Sequence, residues 1–282
     1  MGLRINTNVA SLNAQRNLSQ TKLAMDKTLE KLSSGQRINR AGYDAAGLAI
    51  SENLKAQIRG MGQAERNAQD GVSLVQIAEG ALAEVSNILI RLRELSVQAA
   101  SDTIGNTERK FLNVEFEQLT SEVDRIANST EFNRVPLLNG TGAVFDIQIG
   151  TRNDPVSDRL TFDASSADVN VAALGLNLAS VADKISSQNS LSSIDQAIIS
   201  VSGIRADFGA LQNRLQSTIN NIAVGVENLS AANSRVRDAD IASETAELTK
   251  NNILVTAGTS VLAQANASTK NALNLIQAAS QV

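Results

Sequence analysis

The chain of 282 residues contains no His, no Cys and no Trp, a single Tyr and two Pro. Without His there is no side chain poised to shuttle protons at neutral pH, and no Ser-His-Asp arrangement. Without His and Cys the usual ligands of zinc and the thiol nucleophiles are gone as well. Carboxylates are left, but the inventory argues against an enzyme and leads us to expect no cofactor and no metal. Aromatics make up 2% of the residues, so a core has to be assembled from small and aliphatic side chains. Long helices meeting along narrow seams can do this.

Other absences narrow the partners. The 25 basic and 29 acidic residues are mixed along the chain, with no basic block interleaved with aromatics, so no nucleic-acid partner is expected. No run of about 18 apolar residues is expected to span a membrane. The opening MGLRINTNVASLNAQ lacks the apolar stretch of a secretory signal, and Asn6 stands where a myristoylation motif needs Ser or Thr. Taken alone, these features suggest a cytoplasmic soluble protein that, if it leaves the cell, does so by a route needing no cleaved hydrophobic signal.

Both prolines, Pro136 and Pro155, lie near the middle. Proline costs about 3 kcal/mol inside a helix, so the long stretches on either side are free to be helical. Their apolar spacing agrees. Val75, Leu82 and Leu89 recur every seven residues, interleaved with Ala78, Val85, Leu92 and Ala99. Leu112, Phe116, Leu119, Val123 and Ile126 step by four and three. A third stripe runs through Ile194, Ile198, Val201 and Phe208, and resumes at Leu215, Ile219, Ile222, Val226 and Leu229. Each is a seam of coiled-coil type, and three such helices make a bundle.

In the centre the period changes. Phe145, Ile147 and Ile149 alternate with Asp146 and Gln148, a turn-rich segment containing Asn153-Asp154-Pro155 follows, and Leu160-Thr161-Phe162 reads as the returning strand. The predicted fold class is therefore mainly α, with long helices, a bundle and a small central β-hairpin region.

The two ends carry seams of their own. Leu18, Met25 and Leu32 are seven apart, with Val9, Leu12 and Leu29 near the same face. Ile241, Leu248, Val255 and Leu262 are likewise seven apart, Ile276 falls on the same count after a gap at Thr269, and Leu254, Val261 and Leu275 widen the stripe. Yet residues 251–269 contain no charge, and none follows Lys270. An exposed helix normally carries charge on its outer face. Asn, Gln, Ser, Thr and Ala in that place suit a helix that other subunits cover, because small neutral side chains allow close approach without burying charge. Such a helix is expected to be mobile in a monomer and ordered on assembly.

Several blocks of this chain resemble those of bacterial flagellins. They are INTNVASLNAQRNL (5–18), KLSSGQRINRAGYDAAGLAIS (31–51), RLRELSVQAAS (91–101), EFNRVPLLNG (131–140), ANSRVRDADIASETAELTK (232–250) and VLAQANAS (261–268). The sequence departs from the family at three places. Tyr43 precedes Asp44 where two Asp are usual, Phe132-Asn133-Arg134 replaces Phe-Asn-Gly, and Ser268-Thr269-Lys270 stands where a Pro-containing segment is common.

The resemblance implies a structural filament subunit for motility, divided into four parts. Residues 1–43 would be an N-terminal polymerisation helix and connector, and 44–190 the first part of the bundle with its hairpin region. Residues 191–236 would complete the bundle, and 237–282 would form the C-terminal polymerisation helix. The terminal helices, of roughly 47 Å for 31 residues, would pair as a coiled coil forming an inner tube, with the bundle as outer tube. Leu18, Met25, Leu32, Ile241, Leu248, Val255, Leu262 and Ile276 would be the polymerisation seam. The short centre implies a thin, smooth filament.

The implied partners are further copies of the chain or other flagellins, an export chaperone, and the hook-filament junction and cap proteins. The implied location is the extracellular flagellar filament, reached by type III export. Some family members are also bound as monomers by a host Toll-like receptor, and the residues carrying that contact match Arg91, Leu95 and Glu115. The N-glycosylation patterns at Asn17, Asn128, Asn139, Asn228 and Asn266 are what an Asn- and Ser-rich chain contains by composition. Glu115, Glu117 and Glu122, beside Lys110 and Arg125, read as a solvated helix face.

Overall fold

The computed structural model describes the backbone of residues 7–279 and the side chains of residues 7–271. Its elements in chain order are helices α1 (Val9–Ser34), α2 (Ala45–Ala99) and α3 (Asn106–Ser129), strands β1 (Glu131–Phe132), β2 (Val135–Pro136), β3 (Val144–Gln148) and β4 (Arg159–Asp163), and helices α4 (Lys184–Arg237) and α5 (Ile241–Ala279). The long helices lie in the proline-free stretches, and side chains punctuate their starts. Asn8 Oδ1 accepts from Ser11 N–H at 3.0 Å, Asp183 Oδ1 from Ser186 N–H at 3.0 Å, and Asp240 Oδ1 from Ala242 N–H at 2.9 Å. These satisfy amides that a helix start leaves without partners.

Packing groups the chain into two units. One comprises the two ends, up to Ala56 and from Asn228; the other is Gln57–Glu227. Sequence-based divisions at 43/44 and 236/237 follow helix ends. Packing draws them at 56/57 and 227/228, because the start of α2 and the end of α4 bond to the terminal segments. Arg237, for example, donates to Gln36, Ser51 and Glu52.

The Gln57–Glu227 unit holds a continuous apolar core. Val75, Ala78, Leu82, Val85, Leu89, Leu92, Leu95 and Ala99 of α2 are wholly buried, and Phe116, Val123, Ile194, Val201, Phe208 and Leu215 join them. The seven-residue spacing on α2 thus does what it predicted. Partly buried Leu112, Leu119, Ile126, Ile198 and Ile219 line the margins. The predicted hairpin is present: β3 and β4 pair antiparallel with Phe145 opposite Phe162 and Ile147 opposite Leu160. Phe162 tilts against Phe208 with ring centroids 4.8 Å apart, tying the hairpin to α4. A Cβ on Gly71 of α2 would fall 2.6 Å from Ile147 Cδ1, so the bare backbone there lets the hairpin settle closely.

A second, smaller hairpin joins β1 and β2 through Asn133 and Arg134, at φ 50° and 65°. Two left-handed residues in a two-residue loop favour Asn-Gly, so Arg134 stands in a position that suits glycine, at a cost of about 1–2 kcal/mol.

One expectation is corrected. α2 does contain an 18-residue window of mean hydropathy 1.3, long and apolar enough by composition to cross a membrane. In this helix Leu74, Val75, Ala78, Leu82, Val85, Leu89, Leu92, Leu95 and Ala99 belong to the bundle core, while Ile77, Ile90 and Val97 are exposed.

Candidate functional site

The chain ends form the candidate site, and α1 and α5 pair directly within it. Asn8 Nδ2 donates to Ala265 O at 2.9 Å and Thr269 Oγ1 at 2.7 Å, Leu18 lies beside Gly258, and Lys31 Nζ bonds Glu244 Oε1 at 2.7 Å. Early residues of α1 therefore meet late residues of α5, which makes the pair antiparallel. Ser11 Oγ adds a bond to Asn266 Oδ1 at 2.9 Å.

Leu18, Met25, Leu32, Leu248, Val255 and Leu262 are half-buried in this unit. The most buried side chains of the two helices are smaller or polar: Ser11, Ala14, Thr28 and Asn251, the last 3% exposed. Small side chains at the closest points let the backbones approach. Ile241 is 52% exposed at the first turn of α5, where Asp240 Oδ1 caps the helix by accepting from Ala242 N–H. The side chain of Ile276 lies outside the described residues. Val9, Leu12, Leu23, Ile253, Leu254 and Val261 are also exposed, from 46% to 64%. Thus the pair buries one apolar stripe incompletely and presents a second to the outside.

A connector links the helices to the start of α2. α1 ends at Gly35, whose φ of +67° is the left-handed conformation that glycine adopts without strain. Arg37 N–H then donates to Arg237 O at 2.7 Å and Ala239 N–H to Gly35 O at 3.0 Å, with an antiparallel bridge between Gln36 and Asp238. Glu30 gathers three donors: Asn39 Nδ2 at 3.0 Å and Arg40 Nε at 2.6 Å on Oε1, and the Tyr43 hydroxyl at 2.8 Å on Oε2. The bond from Tyr43, with help from Arg40 and Asn39, holds the Glu30 carboxyl below its ordinary range. The same bond pushes the Tyr43 phenol up. Sequence spacing did not reveal this junction. The one hint was Tyr43 itself, standing where an Asp is usual.

The proposed receptor residues lie in the other unit and separate in the structure. Arg91 and Glu115 are exposed and paired at 2.8 Å, and Arg91 also bonds Glu94 at 3.0 Å. Leu95, however, is wholly buried in the core, so it offers no surface contact. Its place on α2, three residues after Leu92, turns it inward. Of the carboxylates read as a solvated face, Glu122 pairs with Arg125 at 2.6 Å and Glu117 accepts from Asn113 at 2.6 Å. Among the described residues no group of three or more Asp or Glu is arranged to hold a metal ion.

Residues 5–143 match the bacterial flagellin N-terminal helical region, and residues 191–276 match the bacterial flagellin C-terminal helical region. The chain belongs to the bacterial flagellin family. It is 45% identical to a flagellin of Bacillus subtilis, covering 98% of this chain and 100% of that one. Against a flagellin of Halalkalibacterium halodurans the identity is 44%, over 97% and 99% of the two chains. It is also similar to the flagellar filament 33 kDa core protein of Treponema phagedenis, at 42% over 97% and 99%. The crystal structure of Bacillus cereus flagellin superposes with a TM-score of 0.51 at 34% identity, covering 60% of this chain and 94% of that one. The first family match spans α1 and the second spans α5 as far as residue 276.

Proposed function

We propose that the chain is the structural subunit of a bacterial flagellar filament and polymerises through its paired ends. The supporting observation is the outer surface of α1 and α5. It carries exposed Leu12, Leu23, Ile253 and Val261 on a pair whose second helix has no charge from Asn251 to Thr269. Each aliphatic side chain stabilises by about 1.5–3 kcal/mol when buried, and a repeated contact that does not close on itself yields a helical polymer. In this reading α1 and α5 form the inner tube, the Gln57–Glu227 bundle forms the outer tube, and no catalysis is involved.

Family membership extends the reading to type III export into the extracellular space. It adds an export chaperone that covers the ends before assembly, and neighbours at the hook-filament junction and cap. Electron microscopy of purified protein with sheared filament seeds tests the core of it. The intact chain should extend the seeds and a chain ending at Ala239 should not. Polymerisation of the shortened chain would show that the ends are not the contact.

A second reading concerns a host Toll-like receptor. Arg91 presents a planar set of donors on an exposed surface, and together with Glu115 it offers a polar patch to a receptor. Arg91→Asp should abolish receptor signalling by the monomer. Full signalling by that variant would remove the proposal.

A further inference from the structure

A cleft of about 700 Å³ opens beside the α1–α5 pair, wholly within the unit formed by the chain ends. Asn251 of α5 lines it. The side chain is 3% exposed, yet its Nδ2 has no hydrogen-bond partner. Leaving a buried amide unsatisfied costs about 1–3 kcal/mol, which an apolar residue of similar size avoids. The charges around it are uneven. Of the three cations lining the cleft, Lys31 is paired with Glu244. Lys27 Nζ only overhangs the Tyr43 ring at 5.8 Å, and the Arg37 guanidinium bonds a main-chain oxygen, Val236 O. Neither of these two has a carboxylate partner among the described residues. The acidic groups are engaged: Asp44 Oδ1 accepts from Gly47 N–H at 2.8 Å, and Glu247 pairs with Lys250 at 3.2 Å.

Three carboxylates thus line the cleft with their own partners, while Lys27 and Arg37 are left without a carboxylate and the Asn251 amide without an acceptor among the described residues. We propose that the cleft receives a carboxylate side chain from a second copy of the chain, bound by Asn251 Nδ2–H and Lys27 Nζ. The proposal rests on the self-assembly reading. A second copy is the fitting occupant because α1 and α5, whose exposed apolar side chains carry the self-assembly reading, themselves line the cleft, and each copy brings carboxylates, 29 Asp and Glu in all. The bond also supplies direction. Apolar stripes tolerate sliding, whereas a charge-assisted hydrogen bond into a cleft fixes one register between subunits.

The test compares the unaltered chain with Asn251→Leu and Lys27→Gln on filament seeds. Each variant should raise the concentration needed for growth by about tenfold, the effect of one charge-assisted hydrogen bond. The thermal midpoint of monomeric Asn251→Leu should match or exceed that of the unaltered chain, since no internal bond is lost. Growth of both variants at the unaltered concentration would overturn the proposal. So would a lowered monomer midpoint for Asn251→Leu, which would make Asn251 an internal structural residue.

Carbodiimide coupling within filaments mixed from isotopically light and heavy chains identifies the occupant. Lys27 should be joined to an Asp or Glu of another copy, and coupling confined to its own chain would count against the idea. If the unaltered chain fails to grow on seeds, the self-assembly reading falls and takes this one with it. Normal growth by both variants removes this one alone.

Discussion

Tyr43 and Glu30 show how much a single pair of side chains settles in this chain. The phenol donates to the carboxylate at 2.8 Å, across the turn that carries α1 into α2. Because the bond favours ionised Glu30 and neutral Tyr43, each group has a pH window. The Glu30 carboxyl is held down, chiefly by Tyr43. Its contribution is complete above the unfolded carboxylate value of about 4.3 and is lost as pH falls through the lowered folded value. The Tyr43 phenol is pushed up, chiefly by Glu30. Its contribution is complete below the unfolded value of about 10 and is lost as pH rises through the raised folded value. Since Tyr43 is the only Tyr and Trp is absent, an ultraviolet absorbance titration reads it without overlap. The midpoint should lie above that of free tyrosine and return towards it in Glu30→Gln. An unchanged midpoint in that variant would mean the bond does not persist in solution.

Among the elements, the α2–α3 corner depends on one buried cation. Arg109 is 6% exposed, and its guanidinium donates to Ala99 O, Ser101 O and Asn106 Oδ1, each at 2.8 Å. It thereby occupies main-chain oxygens that the end of α2 leaves without partners. Arg109→Ala should lower stability by about 2–3 kcal/mol, since hydrogen bonds to charged groups are lost and acceptors are stranded. Equilibrium urea unfolding measures this, and a loss near zero would show that water replaces the side chain at no cost. Nothing in the spacing singled out Arg109. The seams on α2, α3 and α4 were readable because apolar residues recur with the helical period. A capping arginine has no period, and its partners become neighbours only once the chain has turned.

At the scale of the whole molecule, stability and assembly are coupled. A polymer that binds only folded chains raises their apparent stability by mass action. The melting midpoint of the intact protein should therefore climb with concentration under conditions that permit filaments. The chain ending at Ala239 lacks α5, and its midpoint should stay constant with concentration. Equal concentration dependence in both would place the assembly contact outside α5. The two units are also built differently. The Gln57–Glu227 unit has a continuous core of wholly buried aliphatic residues and two phenylalanines, whereas the paired ends bury mainly Ser11, Ala14, Thr28 and Asn251 on α1 and α5. A pair so modestly buried gains most from being covered by other copies.

Composition and periodicity were enough to determine the class of the fold. Proline confined to the centre, seven-residue apolar stripes and one alternating segment admit long helices and a small hairpin and little else, because each is a local consequence of backbone geometry. The family, too, was readable in contiguous blocks at both ends. Tertiary structure alone decided which residues the fold brings together. Resemblance to the family put Leu95 among candidate receptor contacts, and packing placed it inside the core. Spacing put Ile241 on the seam, and only the structure shows that a single chain leaves it exposed. The Glu30–Tyr43 bond, the Arg109 cap and the unpartnered amide of Asn251 depend on residues that the sequence holds apart. A periodic pattern specifies a face of an element, whereas a hydrogen bond requires two particular atoms within about 3 Å.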